Sequence, residues 1–343
     1  MFSDLKKYGG KVSLIIVNWN GRDLLPECLD GLRQQTYRDF QIIMVDNGSE
    51  DGSVDFVKHH YPEVRIIALG RNLGFAAGNN IALRTVRTEY AALLNNDAVA
   101  HPCWLENLVE GLERYPEAGS AASKMLFYDC PDTIDRAGDA YTRAGAGLLR
   151  GRGHPGNGFD RREWVFGACA GAALYRMSMF EDIGLFDEDF FLLYEDIDLS
   201  FRGQLKGYKC VYIPEAVVFH KASNSIVDDS HLSVYYGHRN LEWVYIKNMP
   251  PGIIVRTMAM HVIYNVAAFL YFAARGRLRS IIRAKLDAVK GIKREMTKRK
   301  TIQATTRVRD EYIWGLLERE RFLPRFTRRL LKISGDRSRI QSL

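Results

Sequence analysis

Val12-Ser13-Leu14-Ile15-Ile16-Val17-Asn18-Trp19-Asn20-Gly21 is a short, β-branched apolar run that breaks into a polar turn, after which Leu24, Leu25, Cys28, Leu29 and Leu32 recur at helical spacing. A strand apolar on both faces must be covered on both, and the amphipathic helix behind it supplies one cover. The unit then repeats. Residues 41–45 end in Asp46-Asn47-Gly48-Ser49 with a helix possible from Gly52, and residues 64–69 end in Gly70-Arg71-Asn72. Residues 74–86 read as helix and 90–94 as a strand closing on Asn95-Asn96-Asp97. This alternation predicts an α/β fold, a Rossmann-like, mostly parallel sheet flanked by helices, whose ligands gather at the carboxyl ends of the strands. The polar turns fall at those ends.

With 343 residues, 47% hydrophobic and 26% charged, the chain has material for one large domain and an appendage, and no bias towards disorder. Its net charge of +7 is unevenly placed: residues 275–343 carry 21 Lys/Arg against 7 Asp/Glu, so the tail is basic and the rest is acidic. Five cysteines, odd in number and without a CxxC pair, indicate neither a zinc cluster nor a disulfide framework, and point to a reducing compartment. The start of the chain, with Asp4, Lys6, Lys7 and Gly9-Gly10, lacks the apolar core of a secretory signal. A cytoplasmic location is expected.

Further along, residues 141–160 are rich in glycine and arginine, which predicts a mobile loop able to close over substrates. Residues 166–173 are small enough for a backbone to approach a ligand, and residues 217–220 read as a strand ending in His220. Beyond Pro250-Pro251 the pattern changes to long helices, which divides the chain into residues 1–250 and a basic helical region, 251–343. Residues 257–274 are apolar except for Thr257, His261 and Asn265 on one face; at about 18 residues they fall short of the usual spanning length of about 20. Leu278, Ile281, Ile282, Leu286, Val289 and Ile292 then keep helical spacing, with Arg279, Arg283, Lys290, Lys293 and Arg294 on other faces. Such a helix suits an anionic membrane surface, and the lack of interleaved aromatics argues against nucleic acid as the partner.

Four acidic or amide-rich turns carry candidate chemistry, each with a plainer alternative. Asp46 can accept hydrogen bonds from a nucleobase or ribose, or simply stabilise an Asx turn. A dehydrogenase would need GxGxxG after the first strand, where only Gly21 is present. Arg71 precedes a helix whose first turns hold Gly74 and Gly78, a weak helical choice unless a nucleotide, or the sheet, packs closely. Asp97 could join a divalent cation to a diphosphate, or cap the next helix. Glu195, Asp196 and Asp198 open a helix after the aromatic-rich residues 186–194; the helix dipole favours acids there, and Asp198 and Arg202 are spaced as an ion pair. His220 is either a site residue or a structural histidine.

Taken in order, Val17-Asn18-Trp19-Asn20, Val45-Asp46-Asn47-Gly48-Ser49, Arg71-Asn72-Leu73-Gly74-Phe75, Leu94-Asn95-Asn96-Asp97, Gly171-Ala172-Ala173, Gly184-Leu185-Phe186-Asp187, Tyr194-Glu195-Asp196-Ile197-Asp198 and Phe219-His220 resemble the motif series of glycosyltransferase family 2. The likeness spans roughly residues 11–225 and is strongest to a bacterial branch of rhamnosyltransferases that build cell-surface polysaccharide. It implies a GT-A fold over residues 1–250, with 251–343 as a membrane-associating helical appendage. It also implies an inverting reaction, Mn2+ or Mg2+, and a nucleotide-diphospho-sugar donor, dTDP-rhamnose by branch. The implied acceptor is a hydroxyl of a lipid-linked or growing glycan, and the implied location is the inner face of the cell membrane.

On that pattern Asn18, Asp46, Arg71, Asn72 and Asn96 hold the donor, while Asp97 and His220 hold the metal. Asp196 is the base, Glu195 its neighbour, and Trp164, Gly171 and Ala172 border the acceptor. Asn95 stands where the family's DxD motif has its first aspartate. Two other activities compete. A nucleotidyltransferase would need a glycine- and lysine/arginine-rich phosphate loop after the first strand, which is absent. A nucleic-acid-binding protein would use the basic tail. The glycosyl-transfer reading requires Asp97 and Asp196 to face one cleft.

Overall fold

A computed structural model describes residues 10–221 and 230–319. The N-terminal stretch through Gly9, and the part of the basic tail from Glu320 onward, lie outside the described residues. The chain begins as β1 (Val12–Asn18), α1 (Leu25–Arg33), β2 (Phe40–Asp46), α2 (Ser53–His60), β3 (Arg65–Ala68), α3 (Phe75–Leu83) and β4 (Tyr90–Leu94). It continues as β5 (Ala98–Ala100), α4 (Trp104–Arg114), β6 (Ala118–Phe127), β7 (Cys130–Ala137), β8 (Asp139–Tyr141), β9 (Gly147–Leu149), β10 (Glu163–Val165) and β11 (Ala172–Arg176). Next come α5 (Met177–Ile183), α6 (Glu195–Lys206), β12 (Lys209–His220) and four helices, α7 (His231–Asn248), α8 (Pro251–Ala274), α9 (Leu278–Ala304) and α10 (Asp310–Leu316).

The main sheet has the order β10-β12-β6-β11-β4-β1-β2-β3. β1, β2, β3 and β4 are parallel, as are β6 and β12, whereas β11 runs antiparallel between β4 and β6. The expected mostly parallel sheet is therefore present. Alternation along β1 explains its two covers: Val12, Leu14 and Ile16 enter the core beneath α1 and α4, and Ile15 enters the core beneath α3 and α5. A reversal at β11 brings β12 alongside β6, so that β12 delivers His220 to the same sheet edge as Asn18, Asp46 and Leu94.

Residues 141–160 are not the mobile loop that their composition predicted. β8 and β9 pair as a hairpin, and Gly151 and Gly153 take the left-handed backbone (φ +79° and +78°) that turns the chain back. Two of the segment's arginines are ion-paired, Arg152 3.0 Å from Asp135 and Arg150 2.5 Å from Glu163, and Arg143 stacks on Trp314. Glycine here sets turns and arginine binds acids, so composition misreported mobility.

Pro250-Pro251 does open α8, but the helices beyond it share a third core with the sheet domain. Tyr141, Phe166, Phe190, Phe201 and Trp243 pack there with Ile253, Ala288 and Ile313. α8 has 24 residues, more than the sequence pattern suggested, and is long and apolar enough to cross a membrane by length and composition. Its polar face turns inward: Thr257 lies 2.8 Å from the Tyr245 hydroxyl, and His261 Nε2 2.9 Å from Glu242. Val255, Val262, Ile263, Val266 and Leu270 face outward, each more than half exposed. α9 divides its charge. Arg283 and Lys290 point outward, but Arg294, expected on an outer face, pairs with Asp189 at 2.9 Å, and Lys298 pairs with Asp187 and Asp189. The acidic body thus absorbs part of the basic appendage.

Candidate active site

β1 and β2 end in register, with Asn18 opposite Asp46. Asn18 Nδ2 donates to Asp46 Oδ1 at 3.1 Å, and Asn96 Nδ2 donates to Asn18 Oδ1 at 2.8 Å. Asp46 Oδ2 accepts from the Ser49 backbone N–H at 2.9 Å, so the Asx-type turn is present as well. Asn72 joins through Asn47, whose Nδ2 donates to Asn72 Oδ1 at 2.9 Å. Asn18, Asp46, Asn72 and Asn96 therefore belong to one cluster of turns. Arg71 is exposed at its rim, and its backbone packs so tightly on Gly48 that a Cβ there would lie 2.6 Å from the Arg71 Cα.

Beside this cluster is a cavity of about 280 Å³ whose walls include Asp97, Asp135, Arg136, Asp139, Asp196 and His220. The required juxtaposition of Asp97 and Asp196 is met. β5 pairs antiparallel with the end of β12, placing His220 opposite Ala98 and its ring beside Asp97. His220 Nε2 is 3.2 Å from Asp97 Oδ1, and its Nδ1 is 2.8 Å from Asp135 Oδ2. Burial disfavours the imidazolium, but the two carboxylates outweigh it and raise the His220 pKa to about 9.

On the opposite wall, Arg136 Nη1 lies 3.2 Å from Asp139 and 3.7 Å from Asp196. Three carboxyl groups gather here, at Asp139, Glu195 and Asp196. Burial, with help from the Asp196 charge, pushes both Asp139 and Glu195 up to about 8, Arg136 opposing the shift. Asp196 differs in access: its side chain is 12% exposed towards the cavity, against 1% for Asp139. Asp139, Cys169 and Asp196 approach within 4.8 Å of one another, close enough to hold a cation, but Arg136 already supplies the positive charge. Asp198 is structural: it accepts from Arg202 Nε at 2.9 Å, as the helical spacing foresaw, and from Asn248 at 2.6 Å.

The loop presenting Asp196 is strained. Phe191, Leu193 and Tyr194 all have positive φ (62°, 67° and 72°), which non-glycine residues seldom adopt. α7 holds it from behind, because Asn240 Nδ2 donates to the carbonyls of Phe190, Leu192 and Leu193. α3 holds it from the front, where Phe75 N donates to Phe191 O at 2.7 Å.

Two acceptor-side expectations need correction. Trp164 pairs with Val211, near the start of β12, and packs against Tyr115. At about 3.3 Å per residue that is roughly 25–30 Å from His220 at the other end of the strand, so Trp164 does not reach the cleft. Ala172 is buried in β11 opposite Leu94, in the core beneath α1 and α4. Gly171 does line the cavity, with its carbonyl accepting from Asn95 N at 2.8 Å. Asp135, Arg136, Asp139 and Asn240 were not foreseen. Asp135 and Arg136 lie in β7, a strand of mixed polarity, and Asp139 opens β8, so no local pattern marked the first three.

The family model for Glycosyl transferase family 2 matches residues 13–184. This chain belongs to glycosyltransferase family 2. The family 2 enzyme is 26% identical, over 81% of its own length and 97% of the relative's, to the N-acetylglucosaminyl-diphospho-decaprenol L-rhamnosyltransferase of Mycobacterium tuberculosis. It is 29% identical to the O-antigen biosynthesis protein RfbC of Myxococcus xanthus, across 63% of this chain and 18% of that one. Among solved structures it resembles GalNAc-T7 with UDP, GalNAc and Mn2+ (TM-score 0.57, 15% identity, 70% of this chain and 48% of that one). It also resembles the Pyrobaculum calidifontis mannosyltransferase PcManGT with GDP-Man and Mn2+ (TM-score 0.52, 19% identity, 88% and 86%). The fold is GT-A, and the protein is a glycosyltransferase.

Proposed function

We propose that this glycosyltransferase transfers L-rhamnose, with inversion, from dTDP-rhamnose to a hydroxyl of a lipid-linked or growing cell-surface glycan. The observation that carries this reading is the opening of Asp97, His220 and Asp196 into one cavity. The donor nucleoside lies against the turns of Asn18, Asp46, Asn72 and Asn96, with Arg71 at the rim, and the acceptor enters from the Gly171 and Asp196 side. Asp196 accepts the proton of the acceptor hydroxyl as that oxygen bonds to the anomeric carbon. The bond from that carbon to the phosphate oxygen breaks, and the nucleoside diphosphate departs with the electron pair. Burial raises the Glu195 and Asp139 carboxyls, which favours their neutral forms and lessens the charge crowding beside the base.

The residues suit a divalent cation. Asp97 would offer a carboxylate and His220, once the ion displaces its Nε2 proton, a ring nitrogen; Asp135 on the far ring nitrogen is the usual outer partner of a metal-ligating histidine. An imidazole in the set, with Asn95 in place of a second acid, favours Mn2+ over Mg2+. When bound, such an ion neutralises the departing diphosphate. The outward apolar residues of α8, with Arg283 and Lys290 on α9, support a peripheral position on the anionic inner face of the cell membrane.

The test is a calorimetric screen of nucleotide sugars with Mn2+ and after chelation, followed by transfer to a polyprenyl-diphospho-N-acetylglucosamine. dTDP-rhamnose should bind in a metal-dependent way, and Asp196→Asn should bind it but not turn over. Retained turnover in that variant, or donor affinity indifferent to both metal and Asp97→Ala, would refute the assignment.

A further inference from the structure

Between α7 and α8 lies a second cavity, of about 160 Å³, which has Tyr194 and Ser233 in common with the catalytic cleft. Gly237 and His238 of α7 form one side of it, and Tyr264 and Phe272 of α8 the other. Tyr194 stands between the two spaces, its backbone held in the left-handed region and its hydroxyl accepting from Gly147 N of β9 at 3.1 Å. The residue before the Glu195-Asp196 pair is thus also a wall of this groove.

Gly237 has no reason of packing to be glycine. It lies inside an 18-residue helix, where glycine weakens the helix, and a Cβ built on it meets nothing within 4 Å. The missing side chain leaves the groove open. His238, next to it, is 7% exposed, and its Nδ1 has no hydrogen-bond partner. Burial, and then the nearby Lys285 charge, push its pKa down to about 3, Glu242 opposing, so the ring is a neutral acceptor in the wall. The remaining surface mixes aromatic and hydroxylic groups with the aliphatic Val234 and Leu241. α8, the outer wall, carries Val262, Ile263, Val266 and Leu270 on its other, outward face.

We propose that this groove holds the lipid-side stem of the acceptor, the first units of its hydrocarbon chain, on the way from the membrane face to Asp196. The proposal rests on the lipid-linked acceptor reading above and adds the path by which that acceptor enters. A chain lying between Gly237 and Phe272 past Tyr194 leaves the sugar at its head on the Asp196 side of the cleft. The mixed wall suits the junction of a polar head with a hydrocarbon tail better than a tail alone.

The test compares two acceptors carrying the same diphospho-sugar, one on a long isoprenoid chain and one on a short water-soluble alkyl group, with the full chain and dTDP-rhamnose. Gly237→Phe fills the groove, and the ratio of kcat/KM for the long over the short acceptor should fall at least tenfold. If that variant melts early, Gly237→Leu, a good helix former, asks the same question and should lower the ratio in the same direction. An unchanged ratio in a folded variant overturns the proposal. A wild-type protein that binds donor but transfers to neither acceptor overturns the lipid-linked reading itself, and the groove with it.

Discussion

His220 is held between two carboxylates, and the one the sequence did not reveal is Asp135. A histidine bonded through Nδ1 to an acid presents Nε2 in a fixed direction, here towards Asp97. Asp135→Asn should therefore lower Mn2+ affinity roughly ten- to hundredfold, read by titrating the ion against the purified protein, with the fold intact. Glu195 makes a prediction of a different kind. Its folded pKa, about 8, is above the ordinary 4.5, so the native state keeps a proton that the unfolded chain releases, and stability declines as pH rises between those values. Glu195→Gln removes that decline. Its melting temperature should exceed that of wild type by a margin that grows from pH 5 to 8 and then levels; a constant margin would show that Glu195 does not titrate in this range. Asp97, Asp196 and His220 were legible because they follow apolar runs in motif order. Asp135, Arg136 and Asp139 were not, because pairing of β7 with β6, at long range from His220, is what brings them to the site.

At the scale of elements, α6 and α7 are joined by a buried charge. Lys247 Nζ, in a side chain 1% exposed, lies 2.5 Å from Asp187 and 2.7 Å from Asp198. Burial would raise both carboxyls, but Lys247 outweighs it and holds them below their ordinary 3.8. Folded values below the unfolded ones mean that this stabilisation is complete above about pH 4 and is lost as the pH falls through the folded values. Lys247→Met removes the cation that the two acids share, leaving Asp187 with Lys298 and Asp198 with Arg202, and should cost about 1.5–3 kcal/mol, measured by denaturant titration at pH 7. A loss under 1 kcal/mol would mean that water reaches the pair. The helix α6 and its acidic start were readable from sequence. The strained backbone before it was not, since positive φ at Phe191, Leu193 and Tyr194 is imposed by Asn240 and by the start of α3, neither of which neighbours it in the chain.

For the molecule as a whole, the third core decides whether the helical region is an appendage. Tyr141, Phe166, Phe201 and Trp243 meet Ile253, Ala288 and Ile313 in it, so a chain ending at residue 250 should expose apolar surface and fail to give a cooperative thermal melt. A sharp melt near the full-length temperature would establish residues 1–250 as an independent domain. The outer face gives a further prediction. Full-length protein should float with anionic vesicles and be released by high salt, while Val266→Glu with Leu270→Glu should reduce flotation at least severalfold without lowering the melting temperature. Equal flotation of both proteins would remove α8 from the membrane contact. Short-range pattern was sufficient for the parallel sheet, the polar turns at its carboxyl edge and the motif order that marks family 2, because strand, turn and helix signals are local. Tertiary structure alone decided which acids surround Asp196, that Trp164 sits at the wrong end of β12, and that the glycine-rich segment is ordered. Those outcomes depend on contacts between residues far apart in the chain, where burial and shared charge, rather than local spacing, set the result.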